Sequence, residues 1–371
     1  MRLTMDNVFA LRLRALRRTM VKARLSGILI TDVLSRYYFT NFSGTAGTLL
    51  VTRDEAILYT DFRYTERARE EVPACVVVEE IAGSLATIIR GELPGRTLRL
   101  GVEDFSLTVE AHRRLVRAFK SMVLVGIGDT VQELRKSKDG YELEQLQRAV
   151  AATDVVYKKT VLWLRALKRK RRLPTEIDVA HHVRTLIQDI PDGELAFPTI
   201  VAAGKHAARP HHEPTTRRLR LGEEVIIDLG AKLAGYHADM SRTIYIGVPT
   251  AAQRHRYETC LKAQTAALVY LGQGGRLAAK ADAVARGIID AAYPGAFGHS
   301  LGHGVGLEVH EAPTLSTGST DRLENGMVFS VEPGIYETNK GGVRIEDLAT
   351  IASSSVHVLS RSPKTIKASI L

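Results

Sequence analysis

The chain of 371 residues contains only two cysteines, Cys75 and Cys260, far apart in the sequence. That scarcity supports neither a disulfide framework nor a thiolate metal site, and it fits a reducing, cytoplasmic setting. No run approaches the ~18 consecutive apolar residues of a membrane span. The opening residues lack the apolar core of roughly 7–15 residues that marks a secretory signal. No internal repeat of roughly 20–50 residues is present, and no low-complexity tract.

What is present is the make-up of an ordinary folded protein, 45% hydrophobic and 25% charged. Such a chain buries enough apolar surface to offset its ordering entropy, and its length suits about two domains. Charge is the unusual feature. Lys and Arg number 51 against 41 for Asp and Glu, a net charge of +10. The excess gathers in Arg12, Arg14, Arg17 and Arg18, in Lys168-Arg169-Lys170-Arg171-Arg172 and in Arg217-Arg218-Leu219-Arg220. The five-cation block has no interleaved aromatics and reads as a solvated turn between helices. The expectation is a basic surface, with neither nucleic acid nor membrane as partner.

The first 130 residues alternate between helical and strand-like patterns. Val8, Leu11, Leu13, Leu16, Met20 and Leu25 form an apolar stripe on a helix over 7–24. Strands are expected at 27–30, 46–52, 56–59, 75–78, 97–102 and 121–125, and helices from Asp61 as N-cap to Glu70, near 82–90 and near 108–119. This pattern predicts an α/β domain over 1–130. A boundary falls near 128–138. From Tyr141 to Leu167 the apolar spacing is helical without Gly or Pro, and Pro174-Thr175-Glu176 signals a further helix start.

The second half carries acids and histidines on strand and Gly-rich loop patterns. Glu224-Val225-Ile226-Ile227-Asp228 is an apolar strand that finishes on a carboxylate, which needs a partner if buried. After a short turn, Asp239 opens the next strand. The two strands should pair antiparallel, so that Asp228 and Asp239 face one spot. Glycines surround His303 in His299-Ser300-Leu301-Gly302-His303-Gly304-Val305-Gly306, where the backbone can approach a ligand closely. Phe329-Ser330-Val331-Glu332-Pro333-Gly334 again ends a strand on an acid. In Gly342-Val343-Arg344-Ile345-Glu346, alternation puts Arg344 and Glu346 on one face.

Asp228, Asp239, His303, Glu332 and Glu346 thus offer four carboxylates and one imidazole, with no sulfur. That donor set suits Mn²⁺, Co²⁺ or Zn²⁺. Five side chains exceed what one open catalytic ion needs, whereas two ions ~3.5–4 Å apart use them naturally and can activate a bridging water to attack an amide carbonyl.

These motifs, Asp-x10-Asp, H-S-L-G-H-G-V-G-L-E-V-H-E, V-E-P-G-I-Y and G-G-V-R-I-E-D, resemble those of the pita-bread dimetal peptidases, specifically aminopeptidase P and prolidase. The resemblance covers about residues 138–360. It extends more weakly forward through Tyr37-Tyr38-Phe39-Thr40-Asn41-Phe42-Ser43-Gly44 and Thr60-Asp61-Phe62-Arg63-Tyr64, which look like a creatinase-like N-terminal domain. It implies a creatinase-like α/β domain followed by an α+β pita-bread catalytic domain over 131–371, two divalent ions per subunit with Mn²⁺ foremost, and hydrolysis of the Xaa-Pro bond of peptides or dipeptides. It also implies roles. Asp228 would bind one ion, Asp239 and Glu346 would bridge both, and His303 and Glu332 would bind the second. Glu332 would shuttle the proton, His310 would donate to the substrate carbonyl, and His211 would assist at the scissile nitrogen. His299, Tyr336 and Arg344 would shape the site around the proline ring, and Ser241 would support Asp239. Register with Asp228 favours His211 over the adjacent His212. A homodimer is implied, with Asp61, Phe62 and Arg63 as candidates for its border. Pro198 and Arg209 depart from the family pattern, and the segment 176–196 looks shortened. The competing reading is a non-catalytic binding protein on an inactive peptidase fold, against which the complete ligand set argues.

Overall fold

The computed structural model describes residues 5–81, 84–93, 98–120, 122–353 and 355–371. Two compact units divide the chain, Met1–Arg135 and Lys136–Leu371.

The first unit is a six-stranded mixed sheet. Its order is Val77–Glu80, Ala56–Thr60, Thr48–Val51, Gly27–Ile30, Leu98–Val102, Met122–Gly126. The tight turn 52–55 makes Thr48–Val51 and Ala56–Thr60 antiparallel, while helical crossovers make Val77–Glu80 parallel to Ala56–Thr60 and Met122–Gly126 parallel to Leu98–Val102, which itself lies parallel to Gly27–Ile30. The sheet buries Leu29, Leu50, Tyr59, Leu98 and Leu100 against Ile89 and Phe119.

Several local expectations shift. The first helix, Met5–Lys22, buries Val8, Leu13, Leu16 and Met20, but Leu11 is 47% exposed and Phe9 takes its place in the core. Arg12 is buried beside it, stacked between the Phe9 and Tyr38 rings, with its guanidinium donating to Tyr38 O. Asp61 does not cap a helix. Its carboxylate closes an Asx turn onto Arg63 N and pairs with the Arg63 side chain, so the helix runs Thr65–Glu71. Residues 73–76 form a turn, and the strand expected at 75–78 begins at Val77. Of the expected elements, residues 82, 83, 97 and 121 lie outside the described residues. The helix Val33–Thr40 lies within the Tyr37-to-Gly44 stretch and just before it.

The second unit consists of antiparallel sheets backed by helices. One half is the three-stranded sheet Ile200–Ala203, Glu224–Leu229 and Met240–Tyr245. The helices Gly140–Arg169 and Glu176–Gln188 cover it through Val156, Leu164, Val179 and Val183. Each helix starts in a capping box, Asp139 with Glu142 and Thr175 with Asp178. The other half is a five-stranded sheet in the order Glu311–Leu315, Gly302–Gly304, Val328–Val331, Asp347–Ala352, Ser355–Val358. The helices Ala251–Gly272 and Ala278–Ala292 pack behind it through Cys260, Ala263, Ala281 and Ile289. Hairpin Gly334–Glu337/Gly341–Arg344 lies between Val328–Val331 and Asp347–Ala352 in sequence and reaches the first half, where Arg344 N donates to Thr243 Oγ1. The long helix ends at Arg169, and Lys168 bonds the Leu371 carbonyl oxygen. Lys170, Arg171 and Arg172 are exposed, as a solvated turn requires. Among the described residues no helix is long and apolar enough to cross a membrane.

Candidate active site

Strand register brings the acids together. Asp228 stands opposite Ser241 in the Glu224–Leu229/Met240–Tyr245 ladder. Asp239, two residues before Ser241, takes the same face. Glu346 enters from the loop before Asp347–Ala352, where its backbone N–H donates to Ser241 O at 3.1 Å. Glu332 follows Val328–Val331, its N–H bonded to Leu301 O. His303 sits in the middle of Gly302–Gly304. The glycines beside it serve the sheet. A Cβ on Gly302 would meet Ser330 O at 2.0 Å, and one on Gly304 would meet Ala312 O at 2.1 Å. The close approach expected toward a ligand is therefore an approach to the two neighbouring strands.

His303 Nδ1 is 3.2 Å from Gly304 O. The carbonyl accepts, so Nδ1 carries a proton, and Nε2 turns inward toward the acids. That nitrogen lies 3.1 Å from Glu332 Oε1 and 3.7 Å from Asp239 Oδ2. Ser330 Oγ takes the His303 N–H and donates to Glu332 Oε1 at 3.1 Å, a link the sequence reading missed although Ser330 alternates with Glu332. Asp239, His303 and Glu346 place ligand atoms within 4.8 Å of one another.

The electrostatics of this cluster favour cations. Burial, then the charges of Glu346, Asp228 and Glu332, push the Asp239 carboxyl well above its usual range. Burial, then Glu332 and Asp228, do the same to Glu346. Burial alone would raise Glu332, but its bond to His303 and the charges of His303 and Arg344 hold it at about 2. Asp228 Oδ1 and Glu346 Oε1 are buried without a hydrogen-bond partner. Buried carboxylate oxygens left in that state are costly, and a divalent cation is the partner their geometry suits. The residues present fit an oxygen-rich metal centre with one imidazole.

Arg344 fastens the cluster from one side. Its Nη2 donates to Asp228 Oδ2 at 2.7 Å, its Nε to Ser241 Oγ at 2.7 Å, and its Nη1 to Pro210 O and Tyr336 Oη. Ser241 therefore braces Arg344 rather than Asp239. Tyr336 donates in turn to His299 Nε2 at 2.9 Å, and His299 Nδ1 donates to Ser300 O. Burial keeps the His299 imidazole below its ordinary pKa, in keeping with this neutral arrangement.

The acids open onto a cavity of about 420 Å³ lined also by Phe197, Pro198, Ile200, His211, His299, Val309, His310 and Arg344. The lining mixes apolar side chains with four imidazoles, those of His211, His299, His303 and His310. Tyr336 does not line it; the hydroxyl stands behind His299, which corrects the direct substrate contact expected of it. His310 is exposed, with its ring 4.2 Å from that of His303, and burial followed by the His303 charge lowers its pKa. His211 faces the cavity, whereas His212 is buried and bonds Glu176 at 3.0 Å. Pro198, which departs from the family pattern, forms part of the wall, and Arg209 is exposed outside it.

Comparison with known proteins agrees with this geometry. The model of the creatinase/prolidase N-terminal domain matches residues 12–137, and that of metallopeptidase family M24 matches 144–353. The Xaa-Pro dipeptidase of Pyrococcus furiosus is 34% identical over 361 residues, 96% of this chain and 99% of that protein. An Xaa-Pro dipeptidase structure from Bacillus anthracis superposes with a TM-score of 0.89 at 32% identity, covering 98% of this chain and 100% of the other. An X-Pro aminopeptidase structure from Thermotoga maritima gives 0.86 at 30% identity, covering 95% and 100%. These likenesses bear out the expected pairing of a creatinase-like domain with a pita-bread domain. A family model that spans more than half of the sequence, over a cavity built from the motif residues, places this chain in metallopeptidase family M24, as a metallopeptidase.

Proposed function

We propose that the chain hydrolyses the Xaa-Pro bond at the N-terminus of peptides or in Xaa-Pro dipeptides. The observation that carries the reading is the convergence of Asp228, Asp239, His303, Glu332 and Glu346 on one cavity, with two orphaned carboxylate oxygens among them. These five side chains would hold two divalent ions, with Mn²⁺ the preferred metal and Co²⁺ or Zn²⁺ able to replace it. When bound, such ions supply an acidic water and Lewis-acid polarisation of a carbonyl.

The chain's own groups do the rest. Glu332, kept ionised by its bond to His303, takes the proton of the attacking water and delivers it to the leaving nitrogen. His310, neutral near pH 7 and exposed to the cavity, donates an imidazole N–H to the substrate carbonyl as negative charge grows on it. His211 on the facing turn lies toward the scissile nitrogen. Arg344 fixes Asp228 and, through Tyr336, the ring of His299. Proline lacks an N–H and restricts the residue before it. A wall of Phe197, Pro198, Ile200 and Val309 offers apolar contact to its ring without requiring that donor.

A cytoplasmic homodimer is the setting proposed for this activity. Phe62, 77% exposed beside the Asp61–Arg63 pair, supports that segment as a subunit border. The test is turnover of an Xaa-Pro dipeptide beside an Xaa-Pro-Yaa tripeptide with Mn²⁺ added and Glu332→Ala as control. Cleavage at the Xaa-Pro bond, lost in the variant, is expected. Equal cleavage by Glu332→Ala would overturn the role given to Glu332.

A further inference from the structure

A second cluster of metal-ligand-type side chains lies behind the cavity. Glu176, His206 and His212 bring ligand-type atoms within 4.8 Å of one another. Glu176 is fully buried at the first position of the helix Glu176–Gln188. Its Oε1 accepts from Ala203 N at 2.9 Å and His206 Nδ1 at 2.9 Å. Its Oε2 accepts from His212 Nε2 at 3.0 Å, Thr215 N at 3.1 Å and Thr215 Oγ1 at 2.7 Å. Five donors saturate the carboxylate, which has about four lone-pair sites. This is the opposite of Asp228 and Glu346, whose oxygens lack partners. The cluster is a hydrogen-bonded hub, and its chemistry leaves no open lone pair to invite an ion.

What the hub holds is the turn that carries His211. Arg209 O accepts from His212 N at 3.2 Å, closing a turn with Pro210 and His211 at its corner. Proline at the first corner position presets that turn. Arg209 N is bonded back to His206 O at 2.9 Å. Pro210 O receives Arg344 Nη1 at 3.2 Å, which anchors one arm to the acid cluster. The His212 ring, bonded to Glu176 and 4.3 Å from that of His206, anchors the other. His211 itself is exposed to the cavity and has little packing of its own. Its place is therefore set by the turn.

We propose that Glu176, with His206 and His212, is a positioning hub that fixes His211 over the substrate's scissile bond; the proposal rests on the peptidase reading above. Glu176 touches no substrate and acts through His211 alone.

A double-mutant cycle tests this on the full-length, Mn²⁺-loaded protein with an Xaa-Pro-Yaa tripeptide. Glu176→Gln keeps the size but turns an amide NH₂ toward groups that themselves donate. It is expected to lower kcat by roughly 10–100-fold, the usual cost of losing an outer-shell support, with KM changed far less. His211→Ala should cost a similar factor, and the double variant should cost little more than either alone. His212→Gln, which still offers a donor to Glu176, should lose far less than the roughly 10-fold lower bound expected of Glu176→Gln. If the two losses multiply instead, Glu176 does not act through His211 and the proposal falls. If Glu176→Gln fails to fold, His212→Ala against His212→Gln carries the same cycle. A third equivalent of metal bound by the parent and lost in Glu176→Gln would also overturn it.

A readout independent of turnover separates this from the functional reading. Histidine-ring NMR signals of the metal-free protein should shift for His211 in Glu176→Gln and stay put in the surface control His357→Gln. An unmoved His211 signal sinks the hub. A moved signal in a protein that cleaves no Xaa-Pro peptide sinks the peptidase reading and upholds the hub.

Discussion

At the scale of single residues, charge is set by what surrounds each carboxylate. Glu332 and Glu346 are acids of one cavity, yet one is held at about 2 and the other is pushed well above its usual range. The difference is His303, which bonds Glu332 directly. Glu332→Gln should therefore lower kcat by about 10²–10⁴-fold, the span of general acid–base catalysis, as read in steady-state assays. Losing the imidazole donor in His310→Ala should cost about 10²–10³-fold in kcat. Glu176 gives a pH test of stability. Burial opposes ionisation, but the bonds from His212, Thr215, Ala203 and His206 hold its pKa at about 2, below the unfolded value of 4.5. A depressed acid stabilises the fold above the unfolded pKa and loses that contribution as pH falls from about 4.5 toward 2. The gap in Tm between the parent and Glu176→Gln should be full near pH 6 and narrow as pH drops through that window. A gap that stays constant would contradict the depressed pKa. The motif residues were legible because their types and spacing name a chemistry. Glu176 was not, because it meets His206, His212 and Thr215 only through long-range folding that no local pattern announces.

At the scale of elements, strand register and a few buried contacts hold the site. Gly302 and Gly304 lie between two strands at distances that leave no room for a Cβ. Gly304→Ala should destabilise by about 1–3 kcal/mol through overpacking, and by displacing His303 should also weaken metal binding in an equilibrium titration. Arg242 is buried with Nη2 on Asp347 Oδ1 at 2.6 Å and on Ser362 O at 2.8 Å, and it also bonds Glu346 O. Lys364 bonds the other Asp347 oxygen. Removing one member of a buried pair strands the other. Arg242→Met should cost about 3–5 kcal/mol in chemical denaturation, and a loss under 1 kcal/mol would mean that the pair does not tie these strands. Sequence periodicity placed most helices and strands of the first unit, but ends shifted where side chains compete for backbone groups. Asp61 spends its carboxylate on Arg63 instead of a helix, and Leu11 sits off the buried face where Phe9 enters it.

At the scale of the whole molecule, the net charge of +10 is distributed in a way composition alone does not reveal. Arg14, Arg18, Lys170, Arg171 and Arg172 are exposed, as expected of a basic surface. Yet Arg12, Arg36, Arg135, Arg242, Arg256 and Arg344 are buried. Several of these pin strands and loops around the acids, so part of the basic excess is structural. The acid cluster needs cations of its own, and Arg344 supplies one of them. Binding of further cations to the folded state alone raises stability by mass action. Tm should therefore rise with added Mn²⁺ and fall with a chelator, and no metal dependence would contradict a cation site among these carboxylates. The most direct test is turnover of an Xaa-Pro-Yaa tripeptide followed against the equivalents of Mn²⁺ bound per chain. Activity should be absent in the metal-free protein, should rise to a plateau as the site fills toward two equivalents, and should release the Xaa residue. A chain that binds two equivalents and leaves the Xaa-Pro bond intact would contradict the peptidase reading.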